Sequence, residues 1–338
     1  MNLASLLLLV PLTMMADPYA FVSNVVQGTV TAIDVSDPKQ LMNAATYTSE
    51  KHFYDPSGIA IGSSYAFVTN SRTGTITAID ISTPQNLVHA ATYMSKNHFS
   101  RPFGIAISGN YAFVTNSRSG TITAIDISDP QHISDAAAYM SQAHFSEPSG
   151  IAISGNYAFV TNTGNGTVTA IDISNPRALA SAAISTSRDY FPGVIAIAIS
   201  GKYAFVTNQK SHTVSAIDIS DPMNLTHAVI STSENSFSDP YGIAISGDYA
   251  FVTNSRYATV TAIDISNPNN LPRAATSTTG SHFFAPCEII ISGNYAFITN
   301  QANGSVAALD ISDPQNLPNA TVSTSGMHFS VPFGIAIK

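Results

Sequence analysis

Charge is scarce in this chain. Of 338 residues, 10% are Asp, Glu, Lys or Arg, while 44% are apolar. A disordered chain has the opposite balance, so this one is expected to fold around a large core. Lys and Arg number only 13, and the formal net charge is -8. A surface that binds a duplex needs clustered cations, so nucleic acid is not an expected partner. Tryptophan is absent, and Cys287 is the one cysteine. An internal disulfide is therefore excluded, and no Cys/His spacing of the zinc-binding kind occurs. No metal or other cofactor is expected. Long apolar runs are missing too. In "MNLASLLLLVPLTMMADPYA" the run Leu6 to Val10 is too short to span a membrane. It has the look of the apolar part of an export signal ending near Ala16, although no Lys or Arg precedes it. Residues 1–18 are expected to be a leader outside the fold. The protein is expected to be secreted, periplasmic or at the cell surface, with the cytoplasm left open.

What the chain does have is repetition. Tyr19, Tyr65, Tyr111, Tyr157, Tyr203, Tyr249 and Tyr295 each open "YAFV" or "YAFI", at a constant spacing of 46 residues. Asn24, Asn70, Asn116 and their successors keep the same interval, as do Asp34, Asp80, Asp126 and theirs. A period of this length marks a solenoid, propeller or array. In one unit "GIAIS" is a short apolar run and "GN" (Gly109, Asn110) a hairpin turn. "YAFVTN" is rich in strand formers, "SRSG" is a second turn, and "TITAIDIS" alternates as a strand does. "DPQHIS" reads as a loop opened by Asp-Pro with one turn of helix, and "AAAYMS" as a fourth strand. Period 3.6 is absent. Ile122 and Ala124 face one side of their strand, and Ile125 and Ile127 the other, so the sheet is buried on both faces. The expected fold is all-β: a single seven-bladed β-propeller over residues 19–338, four antiparallel strands per blade. The final "FGIAIK" (Phe333 to Lys338) is expected to supply the inner strand that the first unit lacks, closing the ring. Leu12 to Met15 is the competing candidate for that strand.

"YAFVTNSRSGTITAIDIS" resembles the YVTN-type propeller repeat, and the following "DISDPQNL" resembles the bacterial LVIVD-type repeat. The resemblance covers all seven units. The missing tryptophan sets the chain apart from WD40 and kelch repeats. The resemblance implies that "GIAIS" is the innermost strand and lines the central channel. Families of this kind include lactonase-like enzymes and surface-binding proteins, so the fold leaves the activity open.

Three groups of residues could act at the channel mouth. The first is His52, His98, His144, His282 and His328, each followed by Phe, with Tyr190 and Ser236 at the two remaining positions. They could form a ring for a metal or an anion. A metal needs at least three imidazoles converging at about 2.0–2.1 Å. The structural alternative is a loop anchor, with Phe packed between blades and His bonded to a neighbouring loop. The second group is Arg72, Arg118 and Arg256, with Lys210 in the same phase. They could form a cationic rim, or could pair with Asp55, Glu147 or Asp239. The third is Glu288, beside Cys287, where the other units have Gly58, Gly104, Gly150, Ala196, Gly242 and Gly334. A lone carboxylate at a channel mouth could be a general base or a ligand contact, or drift in one blade. The fourth interblade loop is also irregular, with Arg188, Asp189 and an early Pro192. The recurrent Asn and Asp suit turn-capping roles.

The regularity of the repeat favours a binding propeller, which is not an enzyme and presents one loop face to a protein, glycan or small ligand. It is expected to be a monomer. A lactonase-like hydrolase using Glu288 is the alternative, and a structural surface domain a third.

Overall fold

Every 46-residue unit buries both faces of its two middle strands, so no unit can bury its own apolar surface alone. The computed structural model describes residues 18–49, 52–95, 99–140, 145–185, 191–231, 237–277, 283–318, 320–323 and 329–338. These form seven antiparallel sheets of four strands. In blade 2 the strands run from the inside outward as Pro56–Gly62, Tyr65–Asn70, Thr75–Asp80 and Val88–Met94. Blades 3 to 7 repeat this order through residues 102–140, 148–185, 194–231, 240–276 and 286–323. No helix occurs among the described residues. The Asp-Pro loops, expected to carry a helical turn, are single hydrogen-bonded turns such as His132 N–H to the Asp129 carbonyl at 2.9 Å.

Blade 1 is built from both ends of the chain. Its inner strand is Pro332–Ile337, paired to Tyr19–Asn24 through Ala20↔Ile337, Phe21↔Ala336 and Val22↔Ile335. Thr29–Asp34 and Met42–Thr48 complete it. The C-terminal closure is thus as expected, while Leu12 to Met15 lies outside the described residues.

The core is seven clusters, each shared by two neighbouring blades. Phe67, Ile76 and Ala78 of blade 2 pack on Ala112, Val114 and Ile125 of blade 3. The seam between blades 7 and 1 joins Phe297, Val306 and Ala308 to Ala20, Val22, Ile33 and Ile335. Burial between blades explains why both faces of the middle strands are apolar. Phe53, 2% exposed, belongs to the cluster between blades 1 and 2.

Sequence reading passed over a second link between blades. The threonine of each "YAFVTN" accepts a hydrogen bond from the inner strand of its own blade and donates one to the inner strand of the next. Thr69 donates to the Phe103 carbonyl, Thr115 to Ser149, Thr161 to Ile195, Thr207 to Tyr241, Thr253 to Cys287 and Thr299 to Phe333, at 2.6–2.9 Å. Ser23 does the same for blade 1, donating to the Ser57 carbonyl at 2.7 Å and accepting from Gly334 N–H at 2.9 Å. Thr115→Val leaves Gly104 N–H and the Ser149 carbonyl without this partner, and is expected to cost at least about 2 kcal/mol. Thr115→Ser keeps the hydroxyl, as Ser23 does, and is expected to be nearly neutral. Urea unfolding of the two variants checks this, and equal losses would show that the hydroxyl contributes nothing.

The recurrent polar residues cap turns. Asp80 Oδ1 accepts from Ser82 N–H at 2.8 Å, and Asp129 Oδ1 from Gln131 N–H at 3.0 Å. The Asn amides reach backbone carbonyls, as Asn70 Nδ2 does to Val68 and Thr75 at 3.5 Å, and side chains more closely. Asn70 Nδ2 donates to the hydroxyls of Thr75 and Thr77, at 3.1 and 3.0 Å, so its nearest partners are side chains rather than backbone.

Candidate functional site

Each inner strand carries a β-bulge near its start, between Pro56 and Ile59 in blade 2 and at the same place in the others. A bulge re-aims side chains. The residue before each bulge-region proline or valine is left-handed: Asp55, Arg101, Glu147, Gly193, Asp239, Ala285 and Val331, with φ from 49° to 68°. Six of these are not glycine, and such backbone is costly unless the surroundings hold it. Here the carbonyls hold it: those of Asp55, Arg101 and Glu147 accept from Ser71, Ser117 and Thr163 N–H at 3.1 Å.

This geometry builds a funnel of about 1000 Å³ on one face. Asp55, Arg72, Arg101, Arg118 and Glu147 supply its charges, with Ser71, Ser117, Ser149 and Thr163 between them. Residues 71–74 of one turn and 99–101 of one interblade loop line it. Arg72 also lies over the Tyr54 ring, 5.3 Å from its centroid. The ion pairs between described residues are Asp129–His132, Asp126–Arg177 and Asp239–His212. None of them involves Arg72, Arg101, Arg118, Lys210 or Arg256. Lys210 and Arg256 are exposed on blades 5 and 6, outside the funnel lining.

Below the funnel the channel narrows to a collar. The residues just before the Gly58 column are Ser57, Phe103, Ser149, Ile195, Tyr241, Cys287 and Phe333. Phe333 of blade 1 meets Phe103 of blade 3 edge-on at 5.3 Å and Tyr241 of blade 6 at 5.9 Å. Neither is an adjacent blade, so the three rings converge across the axis. Ser57 and Ser149 turn back onto Thr69 and Thr161, at 3.0 and 2.9 Å, which leaves the rings to fill the opening.

Beneath the rings lies a chamber of about 150 Å³, and Glu288 lines it. The rest of its lining is Gly58, Gly104, Gly150, Ala196 and Gly334 together with Ser149, Phe103, Phe333 and several isoleucines. The glycines are required by close approach: a Cβ on Gly104 would collide with the Ser149 carbonyl, and one on Gly334 with that of Ser57. Where a side chain is present, the hydrogen bond to the blade's own threonine stretches, to 3.2 Å at Ala196 and 3.1 Å at Glu288, against 2.8 Å at Gly104.

Desolvation pushes the Glu288 carboxyl up to about 7. The side chain is only partly accessible, through the channel. Tyr241 is raised by burial first, then by Cys287 and Glu288. Cys287, also raised by burial and then by Glu288, stays a protonated thiol. It is 1% exposed and is not placed to act as a nucleophile.

His52 lies elsewhere. Its Nδ1 is 2.9 Å from the Tyr47 hydroxyl, and its ring stacks on His89 at 3.8 Å. Tyr47 and His89 belong to outermost strands, so His52 sits at the outer rim rather than at the axis. His98, His144, Tyr190, His282 and His328 lie outside the described residues, as do Arg188 and Asp189. No group of three or more metal-binding side chains occurs among the described residues. Arg101 and the ring formers Phe103, Tyr241 and Phe333 escaped sequence reasoning. The signal was available as the one strongly variable column in an otherwise constant strand: S, F, S, I, Y, C, F.

A closed ring of seven four-stranded blades with a polar funnel over a narrow channel defines a seven-bladed β-propeller. The chain belongs to the family described as outer membrane protein assembly factor BamB, whose profile matches residues 26–271. The LVIVD repeat profile matches residues 286–319. No curated protein matches the chain significantly. Among solved structures it is similar to the periplasmic gluconolactonase PpgL of Pseudomonas aeruginosa, at 15% identity and TM-score 0.77, covering 95% of this chain and 99% of that one. It is also similar to a provisionally assigned 6-phosphogluconolactonase of Bacteroides fragilis, at 14% identity and TM-score 0.77, covering 97% and 99%. Apo AztD of Citrobacter koseri matches at 11% identity and TM-score 0.62, over 95% and 98%. At these identities the likeness is one of fold.

Proposed function

We propose that this propeller is a binding protein whose loop face takes an acidic ligand. The observation that carries the reading is the convergence of Arg72, Arg101 and Arg118, from blades 2 and 3, on one funnel in which no described ion pair involves them. Unpaired guanidiniums hold carboxylates and phosphates by charge-assisted, often bidentate hydrogen bonds. Asp55 and Glu147 flank the three and restrict how such a ligand lies. The family description, an assembly factor, is of a protein that acts by association, and it supports the same reading.

A lactone hydrolase is the second reading. It is supported by the likeness to a gluconolactonase and by a carboxyl that titrates near neutrality, as a general base should. One experiment separates the two. The probe is 6-phosphogluconate, which carries both a phosphate and a carboxylate, titrated calorimetrically. Arg72→Ala, Arg101→Ala and Arg118→Ala are each expected to weaken its binding about tenfold or more. Acid release from 6-phosphogluconolactone should stay at the uncatalysed rate. Release above that rate, lost in Glu288→Gln, would replace the binding reading with the hydrolase.

A further inference from the structure

We infer that the channel chamber beneath the aromatic collar is a binding site for an ammonium group, with Glu288 as its counter-ion and Phe103 and Phe333 as its aromatic wall. The chamber lining holds one ionisable side chain, Glu288, and no cation. Its neighbours Tyr241 and Cys287 are neutral, held protonated by burial. A charge partner for the carboxylate therefore has to come from outside. The wall selects its kind. Ring faces carry negative potential, which attracts cations, and the combination of rings with a desolvated carboxylate suits an alkylammonium. A divalent metal fits poorly, because hard cations need about six oxygen ligands and the chamber offers one carboxyl. The inner-strand carbonyls of Phe103, Ser149, Ile195, Tyr241 and Phe333 already accept from threonine hydroxyls of the preceding blades. Anions are disfavoured by the same carboxylate and rings.

Size sets the ligand further. About 150 Å³ holds some five waters' worth of volume, enough for a primary or small substituted ammonium with a short stem. The chamber and the funnel share Phe103, Ser149 and Ile195 in their linings, so the two adjoin on either side of the collar. A ligand with an ammonium at one end and an acid at the other would place the first beside Glu288 and the second among Arg72, Arg101 and Arg118. This second half rests on the acidic-ligand reading above. The ammonium site does not.

The carboxyl's proton affinity near neutrality makes the site pH-dependent. An ammonium entering at pH 6.5 meets a carboxyl that is largely protonated. It displaces that proton to the buffer, leaving carboxylate and ammonium paired.

The experiment titrates n-butylammonium chloride into the full-length protein by calorimetry, with 1-butanol as the uncharged match. Binding of the amine but not the alcohol is expected, tightening from pH 5.5 to pH 8. At pH 6.5 the heats should differ between buffers of different ionisation enthalpy, because a proton is released. Glu288→Gln should weaken binding at least tenfold and abolish the proton release, and Phe103→Ala should weaken it severalfold. Equal binding of 1-butanol, or no buffer dependence in the wild-type protein, would overturn the ammonium site whether or not the variants fold. The probe 6-aminohexanoate then tests the second half. Tighter binding than butylammonium supports the joined site, whereas equal binding refutes the link to the arginines and leaves the ammonium site standing.

Discussion

Deletion of the last five residues, Gly334 to Lys338, is expected to unfold or aggregate the protein at room temperature. Ile335 and Ala336 are 8% and 7% exposed, in the clusters that join blade 1 to blades 7 and 2. Removing them strips blade 1 of its inner strand and opens the strand Tyr19–Asn24 as a free edge. The loss also takes Gly334 N–H from Ser23, Lys338 N–H from the Tyr19 carbonyl at 3.0 Å, and the Lys338 ammonium from the Ile81 carbonyl at 3.2 Å. A buried large side chain alone contributes about 1.5–3 kcal/mol. With the strand hydrogen bonds added, the loss approaches the whole net stability of a typical domain, about 5–15 kcal/mol. The exposed edge then favours aggregation over recovery. Thermal unfolding and light scattering of the truncated chain decide the matter, and an unchanged melting temperature would show that another segment closes the ring.

The wild-type protein is expected to lose stability as pH rises from about 4.5 to 7, by at most about 4 kcal/mol. The source is Glu288, which burial pushes up to about 7. In the unfolded chain a glutamate releases its proton near 4.3. Between these values the folded state holds a proton that the unfolded state has given up. The stabilisation is therefore full below the unfolded value and gone once pH passes the folded one. Contact with channel water makes the figure an upper bound. Asp80, Asp126, Asp172, Asp218 and Asp310 act in the opposite direction. Each is lowered first by the hydroxyl of the serine two residues on, and then by that serine's backbone N–H. Their contribution is present above the ordinary carboxylate range and is lost as pH falls below it. A maximum between about pH 4 and 5 follows. Urea unfolding from pH 3 to 9 should show Glu288→Gln flat between 4.5 and 7, with the acid limb unchanged. An equal slope in the variant would remove Glu288 as its cause.

The arginine funnel was only half legible in the sequence. Arg72 and Arg118 stand out because they recur in one turn phase. Arg101 does not, because its column reads D, R, E, G, D, A, V, with nothing in common but the left-handed backbone they share. The histidine column left a ring and a loop anchor both open. At His52 the partners are Tyr47 and His89 on outermost strands, with Phe53 packed between blades 1 and 2, which is the arrangement of an anchor. Recurrence in a repeat reports a shared structural task, here the phenylalanine between blades. Departure from recurrence marks what is particular to this chain, as at Glu288.

The number of blades, the four strands of each and the C-terminal closure followed from the sequence by itself, while resemblance supplied which strand is innermost. They depend on local pattern and on a period of 46 residues, both of which can be read along the chain. What only the tertiary structure decided is what meets across the axis. Phe103, Tyr241 and Phe333 are far apart in the chain and on non-adjacent blades, and no local pattern brings them together. They touch because seven bulged inner strands close around a channel narrow enough for three rings to span. The same closure surrounds Glu288 with apolar wall and glycine backbone, and that desolvation, absent from any reading of residue types, sets its proton affinity.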